Sequence, residues 1–217
     1  MANNGIEIEI KLAAADLATA RKLLRRAGAR AVRRVYERNT LFDTPERKLG
    51  FTGRLLRVRT VELTAGAARP RHVAGTNPGR KRKAGFLTVK TPLDQPGYKV
   101  RREIEIRVED PGQVERMLEN VGFQPWFRYE KFRTTYRLAF LKGLAIELDE
   151  TPIGVYFELE GPRSEIDRAA RKLGYAPGDY LTVSYYELFL GARERLGLPR
   201  DAMVFPKAVK PAPREKK

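Results

Sequence analysis

Glu7-Ile8-Glu9-Ile10-Lys11-Leu12 alternates charged and apolar side chains without a break. Successive side chains of a strand point to opposite faces. Glu7, Glu9 and Lys11 therefore share one face, and Ile8, Ile10 and Leu12 share the other with Ile6. The pattern returns at Glu103-Ile104-Glu105-Ile106-Arg107-Val108. Each copy leads into an amphipathic helical segment. The first runs from Asp16 to Ala27 and stops at Gly28; the second runs from Asp110 to Val121, with Asp110 as N-cap and Pro111 at the first position. Each then continues into Tyr36-Glu37-Arg38 or Tyr129-Glu130-Lys131. The unit β-α-β-β-β thus occurs twice. Two such units predict an α+β fold: an eight-stranded antiparallel barrel with the helices packed outside, because closure removes the exposed sheet edges.

Working outward, extended segments are predicted at Ala31–Asp43, Gly53–Glu62, Phe86–Thr91, Lys99–Glu109, Phe123–Leu138, Leu144–Glu150 and Val155–Gly161. Helices are predicted at Ser164–Leu173 and Thr182–Leu196. Residues 64–85 form a basic, Gly- and Pro-rich insertion, and 206–217 a basic tail with the composition of a disordered segment. One domain over residues 1–205 accounts for the rest.

Composition narrows the chemistry. The 217 residues contain no Cys and a single His, His72. Thiolate metal sites, disulfides and His-clustered zinc are excluded, and a resident metal would need carboxylate oxygens. The apolar runs are too short to span a bilayer, and the N-terminus lacks a secretory pattern, so a cytoplasmic protein is expected. The net charge of +16 points to a polyanionic partner. Much of that excess lies in Arg21, Lys22, Arg25, Arg26, Arg30, Arg33 and Arg34, the insertion and the tail. These offer a surface for nucleic acid or polyphosphate.

The strands segregate their charges. Acids recur at i, i+2 in Glu7/Glu9, Glu103/Glu105, Glu147/Asp149 and Glu158/Glu160; bases do so in Arg57/Arg59 and Lys131/Arg133, with Lys11 and Lys90 single. A solvated sheet face explains any one strand. The set, backed by apolar faces suited to a cover of helices, predicts a charged lumen instead. About eight carboxylates in one lumen repel each other strongly, and six bases offset only part of this. A divalent cation, Mg²⁺ or Mn²⁺, bridging carboxylates to phosphate oxygens would offset the rest. The Lys and Arg set would grip a polyphosphate chain, as phosphoryl transfer requires. No P-loop is present: Gly79-Arg80-Lys81-Arg82-Lys83-Ala84-Gly85 lacks the Gly-Lys-Ser/Thr ending. Ser184-Tyr185-Tyr186 is read as helix packing.

At these residues the chain resembles the CYTH superfamily, the triphosphate tunnel metalloenzymes. The resemblance runs from about Ile6 to Leu190. It rests on Glu7-x-Glu9-x-Lys11, Leu41-Phe42-Asp43-Thr44-Pro45, Leu55-Leu56-Arg57-Val58-Arg59 and Leu87-Thr88-Val89-Lys90. Further matches are Arg102-Glu103-Ile104-Glu105, Arg128-Tyr129-Glu130-Lys131-Phe132-Arg133, Glu147-Leu148-Asp149-Glu150-Thr151-Pro152, Phe157-Glu158-Leu159-Glu160-Gly161 and Ser184-Tyr185-x-x-Leu188. It implies that Glu7, Glu9, Asp149, Glu158 and Glu160 bind metal. It also implies that Lys11, Arg57, Arg59, Lys90, Lys131 and Arg133 face a triphosphate. Glu103, Glu105 and Glu147 complete the acidic lining, and Glu7, Glu9, Lys11 and Glu160 are the implied catalytic set. Where some members carry a Lys before the last helix, this chain has Thr182 and Val183. The implied activity is metal-dependent hydrolysis of an inorganic, nucleoside or thiamine triphosphate. The alternative is a class IV-type adenylyl cyclase making cyclic AMP and pyrophosphate, and a non-catalytic binder of polyphosphate or RNA is a third reading. No adenine pocket is visible in the sequence.

Overall fold

The computed structural model describes residues 3–64, 83–93 and 95–206. Most of the basic insertion and nearly all of the basic tail lie outside them. The elements run β1 (Asn3–Ala14), α1 (Leu17–Ala27), β2 (Arg30–Asp43), α2 (Lys48–Phe51), β3 (Leu55–Leu63), β4 (Lys83–Leu93) and β5 (Lys99–Val108). They continue as α3 (Pro111–Asn120), β6 (Gln124–Leu138), β7 (Leu141–Thr151), β8 (Gly154–Glu160), α4 (Arg163–Leu173), α5 (Tyr185–Ala192) and β9 (Ala202–Met203). The two helix-start signals hold: Asp16 accepts from the Thr19 N–H at 2.7 Å, and Asp110 accepts from the Gln113 N–H at 3.0 Å.

The sheet order is β2-β3-β4-β5-β1-β8-β7-β6, and pairing of β2 with β6 closes it into an eight-stranded antiparallel barrel. Exchanging β1 with β5, β2 with β6, β3 with β7 and β4 with β8 maps this order onto itself. The pseudo-twofold follows from the repeated β-α-β-β-β unit. The α1 and α3 crossovers carry the chain over the barrel, so β1 pairs with β5 and β8 rather than with β2.

Three details depart from expectation. Helix α2 and strand β9 are too short to carry a periodic signal, and β9 adds parallel to β6 beyond the end of β7. Helix α5 is shorter than predicted, because Ser184 and Glu187 form a reciprocal capping box that starts it at Tyr185. The repeat also slips phase in its second part. Glu37 is buried inside the barrel, whereas its sequence counterpart Glu130 accepts from the Phe205 N–H on the outside. Tyr129 and Lys131 point inward instead. Counted from the helix-ending glycines, Lys131 rather than Glu130 is the positional counterpart of Glu37, and the two pair directly across β2 and β6.

Helices cover only part of the outer wall. Ala20, Leu24 and Ala27 of α1 meet Ile166, Ala169, Ala170 and Leu173 of α4 over Ile10, Leu12, Ile146, Leu148, Phe157 and Leu159. Helix α3 packs Val114 and Leu118 against Phe42, Leu56 and Val58. The outward Ile6, Ile104 and Ile106 were expected under helices, but they are exposed, Ile6 at 64%. Neither crossover helix reaches the β5 face. Gly161 turns the chain from β8 into α4 with φ +151°, and an added Cβ would lie 2.6 Å from the Gly143 carbonyl oxygen.

The uneven cover predicts uneven mutational cost. Phe157→Ala, in the α1–α4 core, is expected to cost about 3–5 kcal/mol. Ile104→Ser, on the bare wall, should stay within about 1 kcal/mol of the native protein. Urea titrations would check both, and equal losses would show that the bare wall is covered in solution.

Candidate functional site

Strand parity brings every one of the i, i+2 acid and base pairs, with Lys11 and Lys90, into the barrel. Glu7, Glu9 and Lys11 project inward from β1, Arg57 and Arg59 from β3, Lys90 from β4, and Glu103 and Glu105 from β5. Lys131 and Arg133 project from β6, and Glu158 and Glu160 from β8. Glu147 and Asp149 of β7 are buried behind them. Arg107, the repeat partner of Lys11, is exposed near the end of its strand.

The structure adds inward residues that the pattern did not reveal. Lys99 and Arg101 of β5 lie directly across from Glu9 and Glu7. Glu37 of β2 lies across from Lys131. The interior therefore sets nine carboxylates (Glu7, Glu9, Glu37, Glu103, Glu105, Glu147, Asp149, Glu158, Glu160) against eight cations (Lys11, Arg57, Arg59, Lys90, Lys99, Arg101, Lys131, Arg133). The expected surplus of acid is nearly cancelled by the protein itself, and the net charge of +16 lies elsewhere in the chain.

Ion pairs tie this lining together. Lys90 Nζ donates to Glu7 at 2.6 Å and lies 3.1 Å from Glu103. Lys11 bridges Glu9 at 3.2 Å and Glu158 at 3.3 Å. Arg59 makes a two-oxygen contact with Glu105 at 2.8 and 3.0 Å. Asp149 is fully buried and accepts from Lys131 at 2.8 Å, Arg133 at 2.6 and 2.7 Å, and the Tyr185 hydroxyl at 2.7 Å. Arg133 also binds Glu158. Tyr185 is thus a lining residue rather than helix packing alone. Its ring lies beneath the ammonium groups of Lys11 and Lys131.

Two cross-strand pairs inside the barrel bring like charges face to face: Glu9 with Glu160, and Glu147 with Glu158. The consequence is visible in proton affinity. Burial, reinforced by Glu7 and Glu9, pushes Glu160 up to about 7. Burial, with Asp149 adding to it, also raises Glu147. Burial disfavours the charged form of Glu9 and Glu158 as well. At Glu9 the cations Lys11, Lys99 and Arg101 overcome it, and at Glu158 Arg133, Lys131 and Lys11 do so; both carboxyls stay well below the usual range. Burial and the neighbouring Lys11 lower Lys99 to about 7.

Glu160 has no hydrogen bond or ion pair among the described residues, so its oxygens are available to a ligand. Other buried polar atoms are orphaned too: Oε2 of Glu37, Nε of Arg57, Arg59 and Arg101, and both amide atoms of Asn39. Such atoms are costly unless water or a ligand satisfies them. Among the described residues no three acids form a ready-made metal cage. Lysines and arginines occupy the space between the acids. The donor set is nevertheless all oxygen, and Glu7, Glu9 and Glu160 are neighbours on β1 and β8, which suits a hard divalent cation.

The cavity enclosed by these groups measures about 960 Å³. Its charged middle gives way at one end to an aromatic zone. There Tyr185 and Phe189 of α5 pack with Leu41, Phe127 and Tyr129 from inside the barrel, and Trp126, Tyr186, Arg47 and Phe51 form the rim.

The CYTH domain pattern matches residues 5–185. The chain belongs to the CYTH family. A Methanocaldococcus jannaschii protein named provisionally as an adenylate cyclase is 22% identical over 169 residues, which is 77% of this chain and 83% of that protein. A Pyrococcus horikoshii structure, PH1819, superposes with a TM-score of 0.66 at 25% identity, covering 85% of this chain and 98% of the other. A Hippeastrum protein, named provisionally as an adenylyl cyclase and described as having a dominant triphosphatase activity, superposes with a TM-score of 0.56 at 21% identity, covering 86% and 95%. Among the described residues, no helix of this CYTH chain is long and apolar enough to cross a membrane.

The shift at Glu160 has a definite sign. Its folded value, about 7, lies above the ordinary carboxyl value of 4.5. Between those values the folded state holds a proton that the unfolded state has released, so the contribution of Glu160 to stability falls as pH rises through this window. Glu160→Gln should raise the Tm of the metal-free protein at pH 8, and the gain should vanish near pH 4. Thermal melts across this range test it; a pH-independent difference would show that Glu160 titrates as an ordinary carboxyl.

Proposed function

We propose that this CYTH chain is a divalent-metal-dependent triphosphatase. The observation that carries this reading is the convergence of eight cations from β1, β3, β4, β5 and β6 on one cavity, each already holding or facing a carboxylate. A triphosphate presents anionic oxygens along a chain. These oxygens can replace carboxylates as partners of Arg57, Arg59, Lys90, Lys131 and Arg133, with the planar guanidinium groups taking two oxygens at once. The description of the Hippeastrum relative agrees with hydrolysis.

Mg²⁺ or Mn²⁺ bound at Glu7, Glu9 and Glu160 would supply positive charge against the developing charge of the phosphoryl group. The chain's own residues do the rest. Lys11 spans Glu9 and Glu158 and keeps both carboxylates oriented. Asp149 anchors Lys131, Arg133 and Tyr185 in fixed positions. Arg57 and Arg59 hold the phosphate chain from the opposite wall, so little reorganisation is needed at the moment of transfer. In hydrolysis water attacks the terminal phosphorus and the bridging P–O bond breaks; the diphosphate portion is the leaving group, and the attacked phosphorus becomes orthophosphate.

Adenylyl cyclase chemistry is the second reading, favoured by the provisional names of relatives. There the ribose 3′-hydroxyl attacks the α-phosphorus and pyrophosphate leaves, within the same lining. One assay separates the two. With Mg²⁺ or Mn²⁺ and inorganic tripolyphosphate, ATP or thiamine triphosphate, orthophosphate without cyclic AMP supports hydrolysis, while cyclic AMP with pyrophosphate supports the cyclase. No metal-dependent turnover of any of the three would refute both. Glu9→Gln and Glu160→Gln should each abolish turnover while retaining the native circular dichroism spectrum; wild-type rates in either would remove that carboxylate from the site.

The exterior supports a separate polyanion contact. Lys22, Arg25, Arg26, Arg30 and Arg33 make no ion pair among the described residues, whereas Arg21 and Arg34 both reach Glu150. Binding of single-stranded RNA or long-chain polyphosphate through this face should weaken steeply with salt, and Arg25→Glu with Arg26→Glu should weaken it further. Salt-independent binding would place the contact elsewhere.

A further inference from the structure

Two backbone irregularities converge on one stacked pair at the aromatic end of the tunnel. The first lies in β6. Across β2, Leu41 pairs with Phe127 and Phe42 with Pro125, so Trp126 is the extra residue of a bulge. A bulge re-aims the side chain it carries. The second is Arg47, at φ +60° the one non-glycine residue with positive φ among those described. Left-handed backbone at such a residue carries a cost and persists only where the surroundings enforce it. Here the enforcer is Asp43. Its buried carboxylate accepts from the N–H groups of Thr44 at 2.8 Å, Leu49 at 2.9 Å and Gly50 at 2.9 Å, and from Arg47 Nε at 3.4 Å.

The product is a guanidinium laid 3.6 Å from the centroid of the Trp126 ring. The edge of Tyr186 braces that ring at 4.6 Å and 87°. Arg47, Trp126 and Tyr186 all line the cavity that holds the phosphate-gripping cations. Phe51, at the end of α2, stands 85% exposed and also lines the cavity. A volume of about 960 Å³ is near the top of the range for small-molecule sites, roughly 300–1,000 Å³, and leaves room beyond a phosphate chain.

Resting on the triphosphatase reading, we propose that the Arg47–Trp126 stack is a platform for an uncharged planar ring, and that the substrate class is the nucleoside triphosphates. A planar base can stack on the guanidinium–indole pair while its phosphates reach the charged middle. A cationic ring is disfavoured there, because it would lie directly on the like-charged Arg47 guanidinium. The thiazolium of thiamine triphosphate would meet that repulsion, and inorganic tripolyphosphate would leave the platform unused.

The test compares kcat/KM for ATP, GTP, inorganic tripolyphosphate and thiamine triphosphate in the wild type and in Trp126→Ala, Trp126→Phe and Arg47→Gly. Glycine adopts the left-handed backbone without strain, so Arg47→Gly removes the guanidinium while keeping the loop. The ratio of nucleoside triphosphate to tripolyphosphate kcat/KM should fall about ten-fold or more in Trp126→Ala and Arg47→Gly, mostly through KM, and recover in Trp126→Phe. An unchanged ratio in folded variants, or a wild-type preference for thiamine triphosphate, would overturn the proposal. If no triphosphate is turned over, the triphosphatase reading fails alone. Calorimetric binding of ATP and tripolyphosphate to the same variants then decides: weaker ATP binding alone supports the platform, and equal effects on both refute it.

Discussion

Closing the barrel forces the charges on its inner faces to share one enclosed volume, and the rest of the architecture answers to that constraint. In an open sheet Glu7, Glu9 and Glu160 would be solvated, and their mutual repulsion screened. Inside the barrel each carboxylate needs a cation within a few ångströms or must take up a proton. The strand order provides the cations. Because β1 crosses over to lie between β5 and β8, Glu7 and Glu9 face Arg101 and Lys99 on one side, while Lys11 faces Glu158 on the other. Placed beside β2, the same strand would have met neither set.

The pairing is nearly complete, and the exceptions are informative. Glu160 makes no ion pair among the described residues, and burial pushes its carboxyl up to about 7. Glu147 is buried, with Asp149 beside it, and shifts the same way. The orphaned Nε atoms of Arg57 and Arg59 lie on β3, whose inward charged residues are both donors. The tunnel thus has an acid-rich wall on β1 and β8 and a donor-rich wall on β3. Such asymmetry has little use in a structural core, whereas a ligand that is anionic on one side and met by a cation on the other would satisfy both walls.

Much of this was legible because strand parity is strict. Once Glu7, Glu9 and Lys11 were placed on one face, every i, i+2 charged pair that was recognised fell inside the barrel. The misses share a physical cause. Lys99 and Arg101 continue the face of Glu103 and Glu105, but the charged Arg102 beside them breaks the charged–apolar alternation that marks the other strands. Glu37 stands alone on a strand whose phase slips relative to its repeat partner. Helix α5 reads as an ordinary amphipathic segment, so the insertion of Tyr185 against Asp149 depends on where the chain returns after α4. The rim is least legible of all, because a bulge at Trp126 and a left-handed Arg47 leave no trace in composition or period.

The near balance of charge also bears on how a metal and a triphosphate could enter under the proposed function. A triphosphate arriving alone would take Lys90, Arg59 and Arg133 from Glu7, Glu105 and Asp149, stripping these carboxylates of their shortest ion pairs. A divalent cation arriving alone would gain Glu160 but face the ammonium groups of Lys90 and Lys99 beside its other ligands. Entering together, each would offset part of the other's penalty: the phosphate oxygens would draw Lys90 away from Glu7, and the cation would take up the carboxylate so released. Binding of metal and triphosphate should therefore be coupled, because the self-paired lining commits the tunnel to neither ligand by itself.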